Sequence, residues 1–185
     1  KNPLSPIVLI LGGSKISDKI ELINNMMNKV NVILMGGAMA FTFLKAQGKN
    51  IGSLLINEDD LIIADSILKN AEKNQVNIIL PQDVVSASEK SFQASWRVAT
   101  LDELELNEAG FDIGPETVSN FQLILSNANT IIWNGPLGVC EIPSFSTGTQ
   151  SIASIVRDRT EAGAISIIGG GDIVSALKQS GIHEG

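Results

Sequence analysis

Ile165-Ser166-Ile167-Ile168-Gly169-Gly170-Gly171-Asp172, running on into Ile173-Val174-Ser175-Ala176-Leu177, reads as a short buried strand, a glycine turn and a helix. Consecutive glycines let a backbone approach a ligand closely and present bare N–H groups. Here those groups fall at a helix N-terminus, where the dipole favours an anion such as phosphate. Asp172 is the one carboxylate beside the turn. It can cap the helix or hold a divalent cation next to phosphates.

The same pattern recurs upstream. Ile7-Val8-Leu9-Ile10-Leu11 is an unbroken apolar run between Pro6 and Gly12, short and β-branched, so it predicts a strand buried on both faces. Gly12-Gly13-Ser14-Lys15 turns the chain into a helix expected over 17–29, apolar at Ile20, Ile23, Met26, Met27 and Val30. Strand 31–35 leads through Gly36-Gly37-Ala38 into a helix over 39–47, and an amphipathic helix is expected over 58–74. Strand 76–80 ends at Pro81-Gln82-Asp83, with 84–87 continuing extended. The polar region 88–107 reads as a hairpin-like insertion, and residues 109–116 as a strand and turn with Pro115 near the start of a helix over 116–127. Strand 130–133, the turn Asn134-Gly135-Pro136-Leu137-Gly138-Val139 and a helix over 147–159 complete the series before strand 164–168 and a final helix to Gln179.

This alternation predicts an α/β fold: a three-layer, Rossmann-like domain spanning 1–185, with a mainly parallel sheet of about five to six strands and helices on both faces. In such sheets, ligands bind outside the carboxyl ends of the strands. The turns at 12–15, 36–38, 81–83, 134–138 and 169–172 are therefore expected to converge on one edge.

Composition narrows the function classes. With 44% hydrophobic residues, 17 glycines and a net charge of −7, the chain suits a globular core and lacks the basic runs of a nucleic-acid binder. Cys140 stands alone, which fits a reducing, cytoplasmic setting. Neither a membrane-length apolar run nor a signal peptide is visible. Residues 1–6 read as a linker remnant, and both ends suggest a fragment. There is no Gly-x-x-x-x-Gly-Lys-Ser/Thr loop and no dinucleotide fingerprint. The lone histidine, His183, cannot complete a Ser–His–Asp set. Lys15 and Lys19 lie four apart; with Lys15 near the first turn of a helix, both ammonium groups project to one side, where a phosphate relieves them. Two solvated surface lysines are the plain alternative. Glycine turns, lysines and an aspartate together suit a polyphosphate with Mg²⁺.

Five segments carry a resemblance. They are Leu11-Gly12-Gly13-Ser14-Lys15-Ile16-Ser17-Asp18-Lys19-Ile20, Gly36-Gly37-Ala38-Met39-Ala40-Phe41-Thr42-Phe43-Leu44, Leu80-Pro81-Gln82-Asp83, Trp133-Asn134-Gly135-Pro136-Leu137-Gly138-Val139 and Gly169-Gly170-Gly171-Asp172. In this order they resemble the C-terminal, nucleotide-binding domain of the phosphoglycerate kinase family. The resemblance implies that Lys15 and Lys19 contact the phosphates of ATP or ADP, with Lys19 closest to the transferring group. It implies an adenine slot lined by Gly13, Gly37, Ala38, Leu55, Gly110 and Phe111. Asn134, Pro136, Gly138, Val139 and Glu141 would surround the sugar and phosphates, Glu141 accepting the ribose hydroxyls. Gly170 and Gly171 would stabilise the phosphoryl group in flight, and Asp172 would hold Mg²⁺.

Three positions depart from the family's usual pattern: Ser14 where Ala is usual, Cys140 where Phe is usual, and Ile173 where a Ser or Thr hydroxyl meets the nucleotide. The family binds 3-phosphoglycerate on an N-terminal domain that this sequence lacks, as it lacks the family's last strand. The expectation is a monomeric kinase half that binds MgADP or MgATP and is inactive alone. The competing readings are a nucleotide-binding module or degenerate copy without kinase activity, and a different α/β binder of sugars or dinucleotides.

Overall fold

The computed structural model describes residues 3–179. His183 and the last residues of the sequence lie outside that range, as do Lys1 and Asn2 of the expected linker. Five strands form a wholly parallel sheet: β1 (Ile7–Leu11), β2 (Val32–Met35), β3 (Asn77–Ile79), β7 (Thr130–Asn134) and β8 (Ile165–Gly169), in the order β3-β2-β1-β7-β8. Among the described residues six α-helices accompany them: α1 (Ile20–Met26), α2 (Gly37–Ala46), α3 (Glu58–Lys73), α4 (Pro115–Leu125), α5 (Thr147–Glu161) and α6 (Gly171–Gln179).

The central strand explains the layering. All five residues of β1 are buried, and alternate side chains enter different cores. Ile7, Leu9 and Leu11 pack with Ile23, Met39, Phe43 and Ile67 of α1, α2 and α3. Val8 and Ile10 pack with Phe121, Ile152 and Leu177 of α4, α5 and α6. A strand apolar at every position requires cover on both faces, which is the α/β/α sandwich the sequence implies.

The expected alternation is interrupted once. Between β3 and α4 no α-helix intervenes among three strands, β4 (Asp83–Ala87), β5 (Trp96–Thr100) and β6 (Ala109–Ile113); a single 3-10 turn, Leu101–Glu103, lies between β5 and β6. They form a separate antiparallel sheet in the order β5-β4-β6. Residues 84–87 therefore do not extend the parallel sheet; they pair with both 96–100 and 109–113. The region 88–107, expected as a hairpin-like insertion, supplies only one strand, β5, which pairs back on β4 outside it. Its return is fastened by Arg97, whose Nε and Nη2 donate to the two carboxylate oxygens of Glu108 at 2.9 and 2.7 Å.

A second difference concerns α1. It begins at Ile20, not near Ser17, and Lys19 occupies its N-cap. The buried Ile16 draws the preceding segment into the core, and Lys19 N closes a turn on Ile16 O. Lys15 thus lies in a loop, so the two lysines do not share a helix face.

Asp83 shows how β4 is tied to α4. It is buried, and its carboxylate accepts from Glu116 N at 2.9 Å, Thr117 N at 2.7 Å and Thr117 Oγ1 at 2.7 Å. Gly114 precedes Pro115 at the helix start and offers no side chain, so this cap comes from a residue distant in sequence. Replacing Asp83 with Ala leaves those buried donors unpaired. Asp83→Ala is expected to lower unfolding free energy by about 2–3 kcal/mol in a urea titration.

Candidate functional site at the ends of the parallel strands

Four of the five expected turns meet at the carboxyl edge of the parallel sheet, three of them backbone to backbone and the fourth through a side chain. Gly12 N donates to Asn134 O at 3.0 Å, Gly13 N to Pro136 O at 2.9 Å, and Gly37 N to Leu137 O at 2.9 Å. Met39 N, in the first turn of α2, donates to Gly13 O at 3.1 Å. Trp133, wholly buried, donates its indole N–H to Gly135 O at 2.8 Å and so fixes the turn after β7. Gly37 has φ +67°, and a Cβ there would lie 2.6 Å from Gly13 O, so only glycine fits. The fifth turn, 81–83, has its carboxylate committed to α4 as described above.

Lys19 reaches into this cluster. Its ammonium group hydrogen-bonds Asn134 Oδ1, and its Cε would sit 3.8 Å from a Cβ on Gly13. A Cβ on Gly170 would lie 3.5 Å from Asn134 Nδ2, so the glycine turn before α6 adjoins the same amide. Lys19 and Gly13 from the turn after β1, Asn134 at the end of β7 and Gly170 after β8 are thereby gathered from three strand–helix turns. Gly170, Gly171 and Asp172 are exposed, as are Ser14 and Lys15. The exposed amides and cation of this edge can take an anion, and Asp172 in the first turn of α6 presents a carboxylate beside it.

The expected slot residues are distributed around the neighbouring wall. Phe111 lies on β6, half-buried, with its ring 4.9 Å from that of Phe145, and its carbonyl accepts from Val139 N at 2.9 Å. Gly110 is buried, and a Cβ there would lie 2.3 Å from the ring of Phe41 on α2. Pro136, Gly138 and Val139 are partly exposed and Glu141 is exposed, along the loop from β7 to α5; Ala38 is exposed at the start of α2. Leu55 is 96% exposed on the loop before α3 and makes no packing contribution of its own. Ile173 takes a different place from its neighbours: its side chain is 0% exposed and packs with Leu177 in the core beneath α6. It fills the core and contributes no branched apolar surface to the crevice. A separate cleft of about 430 Å³, lined in part by Leu44, Lys49, Gln82 and Asn120, contains none of these residues.

Two residues central to the site's construction were not singled out from the sequence. Asp112, on β6, is 3% exposed; its carboxylate accepts from Gly148 N at 2.6 Å and Ile113 N at 2.9 Å. Burial pushes its pKa up to about 7, against the opposing pull of the Gly148, Ile113 and Thr149 amides. Thr149, in the first turn of α5, accepts from Leu137 N at 3.0 Å and Gly138 N at 3.1 Å. A carboxylate inside the otherwise apolar run Phe111-Asp112-Ile113 was the available signal for the first. A single threonine in a helix gave none for the second. Cys140, between them and Glu141, has its thiol pKa raised by burial.

Among the described residues no helix is long and apolar enough to cross a membrane, and no three His, Cys, Asp or Glu side chains cluster as a metal cage.

An acid whose folded-state pKa exceeds its unfolded value binds more protons when folded, so stability falls as pH rises through that interval. For Asp112 the contribution is fully present below its ordinary value of 3.8 and is lost as pH passes about 7. At about 1.4 kcal/mol per tenfold change in proton affinity, the interval corresponds to at most roughly 4 kcal/mol. Urea midpoints measured from pH 4 to 8 are expected to show the stability of the parent chain falling relative to Asp112→Asn; a constant difference would contradict the assignment.

The chain matches the family model "Phosphoglycerate kinase" over residues 1–185. It is 47% identical to a phosphoglycerate kinase of Chloroherpeton thalassium, over 99% of this chain and 46% of that protein. It is 48% identical to one of Finegoldia magna, over 98% of this chain and 45% of that protein. A solved structure of phosphoglycerate kinase from Coxiella burnetii superposes with a TM-score of 0.93 at 42% identity, over 98% of this chain and 46% of that one. The chain therefore spans about half the length of the relatives it matches.

Proposed function

The chain belongs to the phosphoglycerate kinase family, and we propose that it forms the nucleotide-binding half of such a kinase. The reaction proposed for the whole protein is transfer of the acyl phosphate of 1,3-bisphosphoglycerate to ADP, giving 3-phosphoglycerate and ATP. The observation that carries this reading is the meeting of Lys19, Asn134, Gly13 and the glycine turn at Gly170 on one edge of the parallel sheet.

Phosphoryl transfer asks a protein mainly for positioning and for neutralisation of charge on the transferring group. Lys19 is oriented by Asn134 and places its ammonium group beside the glycine turn, where the phosphate chain would lie. Lys15 adds a second, exposed cation from the same loop. Gly170 and Gly171 offer amides at the N-terminus of α6 to equatorial phosphate oxygens. The adenine would rest between Gly37 and Ala38 on one side and Gly110 and Phe111 on the other, and Glu141 would accept the ribose hydroxyls. At Ile173 only backbone groups face this task, since its side chain is in the core, whereas Ser14 is exposed beside Lys15.

Mg²⁺ bound with a nucleotide keeps several waters and takes one or two carboxylates plus phosphate oxygens. The exposed Asp172, alone at the glycine turn, fits that donor set. When bound, the ion would neutralise phosphate charge. The 3-phosphoglycerate site is assigned to the part of the relatives that this chain does not span, so this half alone is proposed to bind nucleotide without turnover. A monomeric, cytoplasmic protein using adenine nucleotide, with no nucleic-acid or membrane partner, completes the proposal.

Calorimetric titration with ADP tests it. Binding in the micromolar to millimolar range that strengthens with Mg²⁺ is expected. Asp172→Ala should remove most of the Mg²⁺ dependence. Lys19→Ala should weaken ADP binding by about tenfold, the loss of one charge-assisted hydrogen bond. A folded chain that binds no ADP at millimolar concentration would refute the reading.

A further inference from the structure

The loop from Gly135 to Ile142 carries several proposed nucleotide contacts, yet it has no helix or strand of its own. Something must hold it. Thr149 is 1% exposed in the first turn of α5. Its Oγ1 accepts from two successive amides of that loop, Leu137 N at 3.0 Å and Gly138 N at 3.1 Å. Two acceptor positions are all a hydroxyl has, so both are spent on these amides, while the Cys140 thiol turns back onto Gly138 O at 3.7 Å. From the other side, Phe111 O takes the amide of Val139 at 2.9 Å. Residues 137 to 139 are thus held one after another between β6 and the start of α5.

The start of α5 is itself immobilised. Asp112 accepts Gly148 N at 2.6 Å, so the amide preceding Thr149 is already engaged. A Cβ on Gly138 would lie 2.2 Å from Asp112 Oδ1, and one on Gly148 would lie 2.7 Å from it. The loop, the carboxylate and the helix end are in contact with no space between them. The amides at this helix end are spent inside the protein, which separates α5 from α6, whose glycine turn is open.

We propose that Thr149 is a positioning residue for the nucleotide site: its hydroxyl pins the 137–138 segment so that Asn134, Gly138 and Glu141 flank the crevice together. This role rests on the nucleotide reading above. Leu137 is 0% exposed, so removing the hydroxyl leaves its amide unpaired in the core unless the segment moves. Movement relieves that penalty, and it displaces residues on which the nucleotide would rest.

The test compares Thr149→Val, which keeps the shape and removes the hydroxyl, with Thr149→Ser, which keeps the hydroxyl. Two readouts are taken: amide hydrogen exchange at Leu137 and Gly138, and ADP affinity with Mg²⁺. Thr149→Val is expected to lose protection at both amides and to bind ADP about tenfold more weakly, with Thr149→Ser within about twofold of the parent in both. Unchanged protection in Thr149→Val overturns the proposal, as does lost protection with unchanged affinity. Should Thr149→Val fail to fold, Thr149→Ser decides alone: a tenfold loss of affinity with the hydroxyl present overturns it. A parent chain that shows protected amides but binds no ADP overturns the nucleotide reading and this role with it, an outcome distinct from failure of the pin itself.

Discussion

The closest constraint in the molecule is the approach of the β1 and β7 turns. A Cβ on Gly12 would lie 2.0 Å from Pro136 O, and one on Gly135 would lie 2.4 Å from Gly12 O. No side chain fits between these two backbones. Because they touch, their peptide groups bond directly, and Gly37 can dock on both from β2. Lys19 and Asn134 are brought together as a consequence, one from each turn. The glycines of these motifs thus serve packing first; the open amides near Gly170 are those left free by it.

Two buried aspartates extend the same economy of space. Asp83 closes the start of α4 from β4, and Asp112 closes the start of α5 from β6. Both lie on the antiparallel sheet, and both reach a helix that packs on the parallel one. The small sheet therefore acts as a brace on the N-termini of two helices that share one core. A carboxylate at a helix start gives the unpaired amides there their acceptors, although at Asp112 burial outweighs that gain and disfavours the charge. The two sites differ in donors: Asp83 also receives the Thr117 hydroxyl, whereas Asp112 relies on backbone amides alone, and its pKa is raised by burial.

Much of this was legible in the chain. The five-residue apolar run at Ile7–Leu11 announced a strand buried on both faces, and its two side-chain sets indeed enter two cores. The glycine turns marked the strand ends that converge. The antiparallel sheet was not legible, because Val84–Ala87 has the composition of any buried strand, and its partners lie further along the chain at 96–100 and 109–113. The start of α1 was missed for a local reason with a tertiary cause: apolar periodicity continues through Ile16, but that side chain is drawn into the core before the helix begins.

By itself the sequence determined the α/β class, the two-faced central strand and the family, since periodicity and glycine-rich segments are properties of neighbouring residues. Only the tertiary structure decided what individual side chains do. Ile173 stands next to Asp172, yet one is in the core and the other in solvent, because a helix turns successive residues about 100° apart. Asp83, Asp112 and Thr149 could be assigned only once distant backbone amides were placed beside them. A hydrogen bond between residues far apart in sequence leaves no trace in spacing; it exists only after the chain has folded.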